Sequence, residues 1–320
     1  MIRFTLWRFG QTVIVIAIMS FVIYGLIGLM PGDPIDMMIS ADPKMTSADA
    51  ERLRALYGLD KPIYERYLNW AQAALAGDLG YSRLYAQPVL DVMWPALGNT
   101  LILLGLTVFF SILIGLPLGM AAALRPYRKL DYTINFLAFA GISTPSFWLA
   151  LMIIILFSVQ LGILPASATV VSSDAGLWEH ARAMVLPVLT LTIHGIAVYA
   201  RHMRSSMIET LRRDYIRTAR AKGSSERRVV LKHALRNALI PVVTIVGLEF
   251  GHLFSGALVT ETIFAYPGMG KLIFDSIMGN DFNMALVALL FATFMTLLGN
   301  LLADLGYGWL DPRISYQGKR

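Results

Sequence analysis

Residues 100–124, TLILLGLTVFFSILIGLPLGMAAAL, contain no charged side chain. A helix needs about 20 consecutive apolar residues to cross the hydrocarbon core of a bilayer. In lipid the backbone must satisfy its own hydrogen bonds, so an uncharged run of this length is restricted to a membrane-crossing helix. The chain holds other stretches of the same kind, at 9–30, within 132–164, at 184–199, at 239–259 and at 284–302. The third is long for one crossing and contains Pro145, which is expected to kink or break it. Composition agrees. Of 320 residues, 56% are hydrophobic and only 15% are charged, against roughly 25% charged in a soluble domain. A secretory signal peptide is the rival reading of 9–30, which Arg3 and Arg8 precede. Its apolar run exceeds the ~7–15 residues of a signal core, and the PGDP that follows offers no small-x-small cleavage site. The expected fold is therefore an all-α polytopic membrane protein with six transmembrane helices.

Lysine and arginine set the orientation. Arg125, Arg128 and Lys129 occupy the link after the second span, and the link after the fourth is crowded with basic residues from Arg201 to Arg236. The opposite side offers Arg182 and Lys271. The basic links, and with them both termini, are expected on the cytoplasmic side. The chain divides accordingly into an N-terminal tail and first span (1–30), an extracytoplasmic helical segment (31–99), a core of spans two to six (100–310) carrying a cytoplasmic loop at 201–238, and a cytoplasmic tail (311–320). In the outer segment, Thr46 and Asp49 have capping-box spacing and Gly58 can end that helix. Pro62 can start another, with Tyr64, Tyr67 and Trp70 on one face, ended by Gly77. Packing on the membrane interface or on neighbouring helices is the plainer reading of that aromatic face, ahead of a ligand cage.

The loop RTARAKGSSERRVVLKHALRNALIP at 217–241 is the polar exception in an apolar chain. Positive-inside topology needs only a few charges, and this link is longer and more ordered than that. Residues 205–222 read as one helix without a strong breaker. Gly223 fits a left-handed C-terminal position, and Ser224 or Ser225 can cap a second helix with Glu226 in its first turn. Small Ala219 and Ala221 flank the turn, so another protein's surface could approach closely. An anionic-lipid patch is the competing reading. Nucleic-acid binding is disfavoured because the charge sits between two spans.

This loop resembles the EAA loop of the inner-membrane permeases of binding-protein-dependent ABC importers, in its dipeptide, oligopeptide and nickel branch. PGDP at 31–34, YGLDKPIYERYLNW at 57–70, GDLGYS at 77–82, STPSFW at 143–148, ETIFAYPGMGKL at 261–272 and LDPRI at 310–314 are similar to the same branch. The resemblance covers nearly the whole chain. It implies that Arg217, Thr218, Ala219, Ala221, Lys222, Gly223, Ser224, Ser225 and Glu226 form a coupling helix and turn that sit in a cleft of an ATPase subunit. It also implies a bacterial inner-membrane location, a second homologous permease, two cytoplasmic ATPase subunits holding ATP and magnesium, and an extracytoplasmic substrate-binding protein. No cofactor is expected in the chain itself. The sequence departs from the family in carrying Arg217 in place of the glutamate that names the loop, and NDFNMALVA at 280–288 where a basic residue, an aromatic and a proline are commoner.

Catalytic signals are lacking. YPGMGKL at 266–272 contains Gly-Lys, but Leu272 replaces the magnesium-binding Ser or Thr of a phosphate-binding loop and Ala265 stands where its first glycine belongs. With no cysteine, there is no disulfide framework, thiolate metal site or thiol nucleophile. The five histidines are scattered and match no metalloprotease pattern. Within the spans, Glu249 and His252 lie three apart in the fifth, His194 lies in the fourth and Asp304 near the inner end of the sixth. Such groups are costly in lipid and should face a cavity or one another. Glu249, His252 and His194 are candidates for the translocation path, and a structural pair within the bundle is the alternative. Gly247, Gly251 and Gly256 give the fifth span small residues for close helix contact, including contact with a second permease. The alternative function is a secondary transporter or channel driven by an ion gradient. That class needs ion sites and usually internal repeats, and no repeat is evident between 1–160 and 161–320.

Overall fold

A computed structural model describes residues 2–29, 51–52, 61–168 and 176–310, with the side chains of 2–6, 244, 247–256 and 302–310 left undescribed. The expected cap at Thr46 and Asp49, the stop at Gly58, the PGDP segment and the C-terminal tail lie outside the described residues.

Each expected span falls on a helix. These are α1 (Ile2–Gly28), α3 (Val89–Leu124), α4 with α5 (Lys129–Ser143 and Ser146–Ile153, the latter running on as a π-helix, Ile154–Gln160), α6 (Leu177–Leu211), α9 (Leu235–Ile263) and α11 (Phe282–Leu310). The shorter elements are α2 (Ile63–Leu75), α7 (Asp214–Ala221), α8 (Glu226–Arg228, joined to α9 by a π-helix, Val229–Ala234) and α10 (Met269–Met278). By length and apolarity, Trp7–Gly28, Val89–Leu124, Leu177–Leu211 and Phe282–Leu301 can each cross a membrane, and the bent pair α4–α5 brings the candidates to as many as five. The chain is thus a mostly helical, multi-pass membrane protein.

Pro145 breaks the third span as expected. Thr144 is forced out of helical conformation by the proline ring that follows it, at φ −82° and ψ 122°, and the axis turns by 101°. The second and fourth helices overrun their expected limits. α3 begins at Val89, and α6 runs through Pro187 to Leu211. The expectation of one helix over 205–222 is corrected: the chain turns at Arg212–Arg213, where Arg213 is extended at ψ 149°. The turn lets Ile216 and Ala219 bury against Met203, Met207, Val229, Val230, Ala234 and Ala238. Fully burying one such isoleucine stabilises by about 1.5–3 kcal/mol, more than helix propensity supplies per residue.

The chain forms two units, Met1–Gly98 with Leu272–Met295, and Asn99–Lys271 with Thr296–Arg320. In the first, Tyr67 and Trp70 of α2 pack on Phe21 and Tyr24 of α1, with centroids 5.2–5.9 Å apart, and Ser20 Oγ lies 2.7 Å from the Tyr67 hydroxyl. The aromatic face is therefore helix packing, except that Tyr64 stays exposed. The purely helical expectation misses a small antiparallel hairpin, β1 (Tyr81–Ser82) with β2 (Gln87–Pro88). Gly77 and Gly80, at φ +92° and +83°, shape its approach. The buried Asp281 carboxylate anchors it, accepting from Ser82 Oγ at 2.5 Å and the Leu84 N–H at 3.0 Å.

In the second unit, α6 is enclosed by its neighbours. Gly115 and Gly119 of α3 let that helix lie on its backbone: a Cβ at Gly119 would stand 2.4 Å from the Ala200 carbonyl oxygen. Gly141 of α4 meets Ala197, and Ser206 Oγ of α6 donates to the Ala238 carbonyl of α9 at 2.8 Å.

Candidate functional site

The residues between α6 and α9 form a projecting turn on a buried base. α7 buries Ile216 completely and Ala219 nearly so, while Arg217, Thr218, Ala221, Lys222, Gly223, Ser225 and Glu226 are exposed and Ser224 is half-buried. The reading of Ala219 as a contact for another protein is thereby corrected, since it packs into the chain's own core. Ala221 keeps an open position.

Gly223 adopts φ +75°. The Gly223 N–H donates to the Arg220 carbonyl at 2.9 Å and the Ser224 N–H to the Ala219 carbonyl at 3.2 Å, the two bonds of a Schellman motif. Its chain neighbours aside, a Cβ at Gly223 would meet nothing within 4 Å among the described residues, so the requirement for glycine there is conformational. Ser225 precedes α8 at φ −61° and ψ 148°, and Glu226 occupies its first turn.

Three ion pairs lie along the turn. Arg220 clasps Glu226 with bonds of 2.6 and 3.1 Å, Arg217 lies 3.3 Å from Asp214, and Arg213 pairs with Glu209. The hydrogen-bonded Arg220 guanidinium holds the Glu226 carboxyl below the usual carboxylate range, against the opposing effect of burial. Lys222, Arg227 and Arg228 are exposed beside these pairs, so the surface presented outward is a short helix end that carries three ion pairs and a net positive charge.

Of the candidate path residues, His194 projects from α6 with its side chain exposed. Glu249 and His252 lie on α9, and their side chains fall outside those described.

Sequence reasoning missed an ordered site in ETIFAYPGMGKL. Glu261, fully buried at the end of α9, accepts from the Thr100 hydroxyl at 2.6 Å and from the N–H groups of Gly270 and Lys271 at 2.7 and 3.1 Å. Thr100 in turn accepts from the Met269 N–H at 2.8 Å. The start of α10, which the Gly-Lys pair made resemble a phosphate loop, therefore already has an internal anion on its amides. Gly268 and Gly270 are required by close approach. A Cβ at Gly268 would lie 2.4 Å from the Glu261 carboxylate, and one at Gly270 would lie 2.3 Å from the Leu258 Cα. The Tyr266 hydroxyl donates to the Asn99 carbonyl at 2.9 Å. Burial and the Glu261 charge push that phenol up to about 12, so it remains a donor. The signal available in the sequence was the acid preceding the Gly-Met-Gly by seven residues, which reads as a cap only once the chain is known to fold back.

The family model described as "Binding-protein-dependent transport system inner membrane component" matches residues 115–316, and the model for the N-terminal part of the same membrane component matches residues 1–118. Among similar proteins, the oligopeptide transport system permease protein AppB of Bacillus subtilis (strain 168) is 39% identical over 303 residues, covering 94% of each chain. The dipeptide transport system permease protein DppB of Escherichia coli (strain K12) is 35% identical, covering 99% of this chain and 100% of the relative. The di/tripeptide transport system permease protein DppB of Pseudomonas aeruginosa (strain UCBPP-PA14) is 38% identical with the same coverage. With both models matched and relatives aligned almost end to end, the chain belongs to the inner-membrane permease components of binding-protein-dependent transport systems.

Proposed function

We propose that this chain is the permease subunit of an ATP-driven importer that passes peptides or similar small solutes from an extracytoplasmic binding protein into the cytoplasm. In this reading it crosses the membrane six times with both termini inside. It pairs with a second homologous permease and takes its energy from two separate ATPase subunits, which hold ATP and magnesium. The observation that carries the reading is the α7–Gly223–α8 turn: an exposed helix end of fixed backbone geometry, built on a buried base and connected to two long helices. That form suits insertion into a protein cleft, because adsorption to anionic lipid needs positive charge alone and no fixed turn. The peptide substrate is supported by the relatives' functions.

Co-purification from native membranes separates this from an ion-driven transporter. ATPase subunits should accompany the tagged chain, and a chain that transports without them would contradict the proposal. Orientation has its own check. Because the chain lacks cysteine, Asp91→Cys and Arg227→Cys can be labelled singly with an impermeant thiol reagent. Asp91→Cys should react from outside only and Arg227→Cys from inside only, whereas labelling from the same side would overturn the topology.

Glu249 is proposed as a path residue. Glu249→Ala should alter transport or substrate-stimulated ATP hydrolysis while the complex still assembles. Defective assembly with normal transport per assembled complex would make it structural instead.

A further inference from the structure

Arg204 lies about two helical turns before the end of α6, close to where the chain turns into α7. Its guanidinium forks onto Asp131 of α4, Nε to Oδ1 at 2.5 Å and Nη2 to Oδ2 at 2.6 Å. Asp131 is 2% exposed. The same carboxylate also accepts from the Tyr127 N–H at 2.8 Å and from Asn135 Nδ2 at 2.6 Å. Every bond to it therefore comes from a fixed donor, and bidentate geometry fixes direction as well as distance. Tyr127, at φ +62°, closes the link between α3 and α4 onto this carboxylate. Three neighbours thus hold the inner half of α6: α3 by backbone contact at Gly119, α9 by the Ser206–Ala238 bond, and α4 by the Asp131–Arg204 fork. The last of these is a charged bond, and it sits at the end of α4 remote from the Pro145 break. α4 has 15 residues, a lever of about 22 Å.

Resting on the coupling role proposed above for the turn at Gly223, we propose that Asp131 and Arg204 are a positioning pair that ties α4 to the coupling end of α6. A displacement imposed on α7 and α6 by the ATPase then moves α4 as one body with them, with the Thr144–Pro145 break as the point where the motion is redirected into α5. Apolar packing alone would let the helices slide along their shared face, and the fork does not.

The test uses the assembled complex, with spin labels on Lys129→Cys at the start of α4 and Glu209→Cys near the end of α6. Electron–electron distances are measured with and without ATP and vanadate. With the native pair, one distance should persist in both states. In Asp131→Asn, and in the double variant Asp131→Leu/Arg204→Leu, the distance should shift or split on trapping. Stimulation of ATP hydrolysis by the purified binding protein should fall about tenfold, within the usual range of coupling between sites, with ATPase subunits retained and basal hydrolysis unchanged. The leucine pair leaves no unpaired buried charge, so it carries the test if Asp131→Asn fails to assemble. An unchanged distance in the double variant, or full retention of stimulation, would overturn the positioning role. Loss of the ATPase subunits from the otherwise native complex would instead strike the coupling reading on which it rests.

Discussion

Replacing Gly223 with valine is expected to remove the ATPase subunits from the purified complex, or to leave them bound and uncoupled, while the chain itself inserts at near-normal abundance. Gly223 sits at φ +75°, where a β-branched side chain costs more than ~1 kcal/mol in backbone strain. Relieving that strain would undo the Schellman bonds from Gly223 to Arg220 and from Ser224 to Ala219 and re-aim the tip of α7. Among the described residues, its two chain neighbours aside, none lies within 4 Å of the added Cβ, so the damage should be confined to what the turn meets. Gly223→Asn, which tolerates the left-handed region, should keep the turn and retain more of the ATPase than valine does. Neutralising Arg227 and Arg228 together should cost less, because exposed charges typically contribute under about 1 kcal/mol each. Binding to anionic lipid predicts the reverse order. Retention of the ATPase in each purified variant, measured against the native complex, decides between them.

The second large effect is expected in the Glu261 site. Gly270→Ala would place a Cβ 2.3 Å from the Leu258 Cα, against backbone that cannot rotate aside. Overpacking of this kind costs typically 1–3 kcal/mol, occasionally more. Glu261→Ala would leave the N–H groups of Gly270 and Lys271 and the Thr100 hydroxyl without their acceptor, at about 1–3 kcal/mol for each buried group. Both variants should lower the thermal stability of the detergent-solubilised chain markedly and reduce its yield from membranes. Gly98→Ala is the control, since among the described residues no packing neighbour stands within 4 Å of its Cβ. Equal stability of Gly270→Ala and Gly98→Ala would mean that the turn at 264–270 is not built as described.

The features legible in the sequence were those written in local chemistry. Apolar runs marked the long helices, Pro145 marked the break because its ring excludes a helical Thr144, and Gly223 marked a left-handed position between two helices. What escaped was long-range. Glu261 and Thr100 are distant in sequence, and nothing local tells a carboxylate near a span end that its partners are amides returning from the next helix. Arg204 counted only as one of the topology charges, and Asp131 carried no signal, until α4 and α6 lay side by side. The break at Arg212–Arg213 has no breaker residue; burial of Ile216 imposes it. The hairpin at 81–88 depends on Asp281, which the family comparison marked only as part of an atypical stretch.

The most direct test of the central claim is a short-range cross-link from the turn itself. The native chain has no cysteine, so Lys222→Cys, exposed beside Gly223, provides a single reactive site. Treated in native membranes with a thiol-to-amine cross-linker of about one side-chain length, it should join the chain to an ATP-hydrolysing subunit. Tyr85→Cys, in the hairpin of the segment read as extracytoplasmic, should not. A Lys222→Cys variant that yields no such product while the ATPase still co-purifies would contradict coupling through this turn.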